Sequence, residues 1–149
     1  MDLLPLFSVV SLLLCMLVSE VSGLNAWDRA TVVCETVGKK HVVEENSNRI
    51  VVLDSQCKSG EVAWRLSQTY VQLQINKPSS FRVCFSSAAF PSLEKYGVYR
   101  ITDGGMEFAG SPNRDGDVCL TSPGTSLDIV LKALDIFYVL TAKFTISCL

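Results

Sequence analysis

The chain has 149 residues, 48% of them hydrophobic and 19% charged, with a formal net charge of −2. Both acids of the first 23 residues, Asp2 and Glu20, lie in a segment read below as removable, and without them 13 acidic residues face 13 basic ones. A neutral chain with no basic stripe excludes nucleic acid and anionic membrane surfaces as main partners, and its length suits one domain with its own core.

The N-terminal run LLPLFSVVSLLLCMLV, residues 3–18, is apolar and uncharged, and small residues follow at 21–23. This pattern predicts a secretory signal peptide over residues 1–23, cleaved after Gly23, although no Lys or Arg precedes the run. It is shorter than the ~20 residues that a membrane span needs. The apolar C-terminal stretch 127–149 is no span either, because Asp128, Lys132, Asp135 and Lys143 interrupt it. The expected mature protein is therefore a secreted, extracellular domain over residues 24–149, with no membrane span.

Five cysteines remain after cleavage: Cys34, Cys57, Cys84, Cys119 and Cys148. In an oxidising compartment most should pair, and an odd number leaves one over. Sequential pairing, Cys34–Cys57 and Cys84–Cys119, is the simplest choice, and the sequence is compatible with others. Cys148 is then a free thiol or joins two copies as a disulfide-linked homodimer. With no C-x-x-C and a single histidine, His41, a zinc site is not expected.

Along the mature chain, period-two alternation dominates. Val71, Leu73 and Ile75 share one face of TYVQLQI (69–75); Phe81, Val83 and Phe85 share one face of FRVCF (81–85). At the C-terminus Leu140, Ala142, Phe144 and Ile146 alternate with Thr141, Lys143, Thr145 and Ser147. RIVVL (49–53) and LDIVL (127–131) are further strand candidates. NKPSS (76–80), SPNRDGD (111–117) and TSPGTS (121–126) carry turn chemistry, and SSAAFPSLEK (86–95) offers at most one helical turn. YGVYRITDGG (96–105) reads as a hairpin strand running into residues that tolerate positive φ, with MEF (106–108) returning. About eight short strands in one small disulfide-bonded chain predict an all-β fold, an antiparallel β-sandwich.

The stretch YRITDGG also resembles the strand-then-Asp-Gly signature of CUB domains, extracellular sandwiches held by two sequential disulfides. Cys119, SLDIVLKA (126–133) and AKFTIS (142–147) follow in the order such a domain shows. CKSGEVAW (57–64), with Gly, Val and Trp three, five and seven residues after Cys57, is similar to the N-terminal CUB-like domain of the meteorin family. YVQLQI, RVCF, GVYRITDGGMEF and GDVC continue that resemblance over residues 34–147. Meteorin-type proteins carry a second, netrin-like domain after this one; this sequence ends at Leu149, and no activity needing that domain is implied.

Many CUB domains hold calcium through a Glu and an Asp upstream of the Asp-Gly strand and a later Asp. Asp103 and Asp135 are the calcium candidates here. The stretch leading to Cys84 has no Glu, and no Asp lies between Cys84 and Asp103. Calcium needs several oxygen ligands, so neither a metal nor another cofactor is expected.

No enzyme is expected. His41 lies in a polar stretch, GKKHVVEEN (38–46), that reads as a surface loop or edge, and no serine and acid are marked as its partners. Adjacent Glu44 and Glu45 would point to opposite faces of a strand. Trp64 is expected in the core beside the first disulfide, and Trp27 near the mature N-terminus is expected to be exposed. Tyr96 and Tyr99 are the candidate contact patch, with core or hairpin packing as their competing role. The resemblance implies a non-enzymatic extracellular signalling or binding ligand that acts through a receptor or another protein. The alternative is a secretory-fluid or defence effector, such as a venom or immune component, on the same scaffold.

Overall fold

The computed structural model describes residues 29–44, 49–65, 70–87, 96–134 and 139–149, with the side chains of a few of these left aside, Trp64 and Leu140 among them. The expected signal peptide, Trp27, Glu45, Asp135 and the helical turn expected within 86–95 lie outside the described residues, apart from Ser86 and Ser87. The strands are β1 (Arg29–Cys34), β2 (Lys39–Glu44), β3 (Ile50–Val52), β4 (Ser59–Arg65), β5 (Tyr70–Asn76) and β6 (Phe81–Ser87). They continue as β7 (Tyr96–Thr102), β8 (Gly105–Gly110), β9 (Val118–Thr121), β10 (Ser126–Ala133) and β11 (Val139–Cys148). One helical turn, α1 (Pro112–Asp115), sits inside the 111–117 loop.

Alternation decides which side of each strand is buried. One sheet runs β2-β1-β4-β11-β6-β9 and the other β3-β5-β10-β7-β8. Val71, Leu73 and Ile75 of β5, Leu127, Ile129 and Leu131 of β10, and Tyr96 and Val98 of β7 turn inward from the second sheet. Val32, Val62, Ala142, Phe144, Phe81, Val83 and Phe85 oppose them from the first. The fold is thus an all-β sandwich with a single shared core. The strands pair antiparallel with one exception: β3 lies parallel to β5, Ile50 opposite Gln72. Parallel neighbours need a crossover, and here residues 53–69, which contain β4 in the opposite sheet, supply it.

One inward row crosses the first sheet from Cys34 through Gly60 and Phe144 to Phe85 and Val118. The Phe144 ring lies over Gly60 and packs against Phe85, ring centroids 6.4 Å apart. A Cβ on Gly60 would strike the Val33 carbonyl oxygen and come within 2.5 Å of Phe144 Cζ. That contact explains the glycine of the C-x-x-G-x-V-x-W spacing, and Val62, two residues on, is fully buried. Trp64 continues the strand opposite Ala30 and Leu140; the expectation for its side chain lies outside what is described.

The two disulfides hold different places. Cys34–Cys57 is buried in the core and ties the end of β1 to the entry of β4. Cys84–Cys119 joins directly opposed residues of β6 and β9, Cα atoms 4.0 Å apart, on the outer face of the first sheet. Each closes a loop whose entropy loss in the unfolded chain is worth roughly 3 kcal/mol.

Lys77 locks the turn that precedes β4. It is 8% exposed, and its ammonium donates to the carbonyls of Ser55 and Cys57, both at 2.6 Å. The same turn is held by Asp54, whose carboxylate accepts from the Gln56 N–H and the Lys39 ammonium, both at 2.8 Å. Burial pushes the Lys77 ammonium below the ordinary lysine value of 10.5.

Gly60→Ala should lower stability by about 2 kcal/mol or more, through overpacking against Phe144 and Val33, read as a fall in the urea midpoint. Lys77→Met should cost about 2 kcal/mol at neutral pH, because two carbonyls lose a charged donor. The folded protein gives up the Lys77 proton at lower pH than the unfolded chain does. Stability of the wild type should therefore gain from this group as pH rises toward 10.5, a gain that thermal melts of Lys77→Met should lack.

Candidate interaction surface

The β7–β8 hairpin is built by a two-residue turn. Thr102 pairs with Gly105 around Asp103 and Gly104, and the positive φ falls on Gly105, at 126°. Upstream, Tyr99 faces Phe108, and a register shift between Val98 and Tyr99 leaves Ala109 as a bulge residue. The bulge keeps Val98 opposite the buried Gly110 while the hairpin arm beyond it projects from the sandwich. Of β8 only Gly110 is buried.

Tyr96 and Tyr99 do not form one patch. They lie three positions apart on one strand, an odd spacing that puts their side chains on opposite faces. Tyr96 is 0% exposed, and its hydroxyl donates to the Ser86 carbonyl at 2.9 Å. It is a core residue, which corrects the expectation of a shared contact patch.

Tyr99 instead joins residues that alternation alone did not single out. Its ring packs against Phe108 with centroids 5.2 Å apart. A Cβ built on Gly97 would meet Tyr99 Cε2 at 2.8 Å, Phe108 Cε2 at 3.1 Å and Leu134 Cδ2 at 3.2 Å. The absent side chain of Gly97 is therefore the floor on which three apolar groups converge. Met106, Phe108 and Leu134 are 58%, 44% and 43% exposed. One outer row runs Ile50, Gln72, Val130, Tyr99, Phe108 across the whole sheet, and Val130, flanked by Gln72 and Tyr99, is buried although it faces outward. At the far side of the same sheet the Arg49 guanidinium lies 4.8 Å from the Tyr70 ring centroid. Large apolar side chains grouped on an outer face mark interaction sites in soluble proteins.

The remaining candidates stand apart from this surface and from one another. Asp103 is exposed at the hairpin turn, and among the described residues no three His, Cys, Asp or Glu side chains converge. His41 lies half-buried on the edge strand β2, opposite Val32. Cys148 is unbridged and exposed at the end of β11, opposite Phe81. No described helix is long and apolar enough to cross a membrane.

No protein-family model matches the chain, and no match was found among curated proteins. Among solved structures, the CUB1-EGF-CUB2 domains of rat MASP-1 are similar at 16% identity and a TM-score of 0.38. The match covers 66% of this chain and 42% of that one, so the chain spans less than half of that structure. At that distance the description of the fold rests on the sheets and disulfides themselves.

Alkylation of the unreduced protein should add one adduct, at Cys148, to a mass two disulfides lighter than the reduced chain. A doubled mass that halves on reduction, and stays single in Cys148→Ser, would instead show that Cys148 joins two copies.

Proposed function

We propose that this chain is a secreted, non-enzymatic module of CUB-like type that acts as an extracellular ligand by binding a receptor or another protein. The observation that carries the reading is the group formed by half-buried Tyr99 and exposed Phe108, Leu134 and Met106 on the outer face of the second sheet. Aromatics and Met are enriched at the centres of protein interfaces, and here Phe108 and Met106 stand on the projecting hairpin arm beside Tyr99 of β7. Two disulfides in a small domain and the apolar N-terminal run support an extracellular setting. The motif similarity to meteorin-type domains supports a signalling role over a purely structural one.

Labelled wild-type protein should bind particular cells saturably and in a protease-sensitive way. Phe108→Ser and Tyr99→Ala should each weaken that binding about tenfold or more, as truncation of central aromatic residues does, with little change in melting temperature. Direct damage to target cells without saturable binding would favour the defence-effector reading.

A further inference from the structure

We infer that strand β8 takes up an extended, lysine- or arginine-bearing segment of the partner protein as an added strand. The inference rests on the outer-face reading above and specifies the partner's chemistry. β8 ends its sheet, with no strand beyond it among the described residues. Thr102 and Gly105 pair across a two-residue turn, which makes them the hydrogen-bonded closing pair, and pair types alternate along an antiparallel ladder. Met106 therefore directs its N–H and C=O away from β7. Native edges are guarded by charged side chains, Lys above all, by Pro or by a bulge, and the one charge on β8 is the acidic Glu107. Residues 103–111 contain no Lys, Arg or Pro, and the bulge at Ala109 distorts only the far end, leaving Gly105–Phe108 regular.

Charge selects the occupant. Asp103 lies at the turn, Glu107 in the middle of the strand, and Asp117 just before Val118, whose side chain would touch a Cβ on Gly110 at 2.9 Å. All three acids are exposed. Of the cations on neighbouring strands, Arg100 is paired with Glu107 in the β7–β8 register but donates to the Thr121 carbonyl at 2.8 Å, and Lys132 lies on β10, two strands away. A second copy of β8 would bring one acidic line against another, and like charges set opposite each other destabilise a strand pair. A cationic strand avoids this. Its alternate apolar side chains would continue the Met106 and Phe108 face while its basic ones meet Glu107 on the other.

The test is a titration of the isotopically labelled mature protein with three synthetic peptides: KVKVKV, EVEVEV, and KVKVKV N-methylated at alternate residues. KVKVKV should slow hydrogen exchange at the Met106 amide more than tenfold. Glu107→Lys should weaken its binding about tenfold, Glu107→Gln less, and the other two peptides should leave exchange unchanged. Equal binding of the acidic peptide, or protection away from β8, would overturn the inference. So would protection of Met106 that appears with rising protein concentration alone, since a second copy would then be the occupant. The same variants in the cell-binding assay separate the two readings. If Phe108→Ser abolishes cell binding and Glu107→Lys leaves it intact, the outer face stands and the added strand falls. If the wild type binds no cell, the outer-face reading falls and the peptide titration alone decides the edge.

Discussion

The packing of the Phe144 ring into the space that Gly60 leaves empty is the constraint on which the sandwich depends. Phe144 lies on β11, between β4 and β6 in the first sheet. Its row starts at Cys34, so the ring and the core disulfide occupy one continuous layer. A side chain at Gly60 would push β4 away from Phe144, and with it Cys57, the partner of Cys34. Chain direction, sheet order and disulfide closure are coupled at this point, which is why a short spacing motif after Cys57 has structural content.

The turn held by Lys77 extends the same coupling to the second sheet. Lys77 follows β5, and its ammonium reaches across to the backbone beside Cys57. The β5 end of one sheet is thereby tied to the β4 entry of the other. At the opposite side of the sandwich, Arg100 on β7 and the Thr121 carbonyl on β9 make a second polar tie. Among the described residues the core cluster is apolar apart from the Tyr96 hydroxyl, which has its acceptor.

Much of the fold was legible in the sequence because burial in a sandwich follows a period of two. Val71, Leu73 and Ile75, and likewise Phe81, Val83 and Phe85, could be placed inward from pattern alone. The parallel β3–β5 pair was not legible, since three residues carry no signal of direction. The helical turn at Pro112–Asp115 was hidden in residues that also form loops. The contact surface was the hardest part. Met106 and Phe108 alternate as core residues do, and only the sheet order shows that their face of β8 is open. Tyr96 and Tyr99 looked alike as neighbouring aromatics, yet their odd spacing separates a core residue from a surface one.

The projection of β8 beyond the core also separates two kinds of sequence change. Positions 105–109 touch solvent on both faces, and only Gly110 is enclosed. Substitutions along the arm can alter what the surface recognises without disturbing Phe144, Gly60 or the disulfides. Related chains built on this scaffold would therefore be free to diverge in partner while keeping the same interior, with the hairpin arm as the segment that drifts fastest.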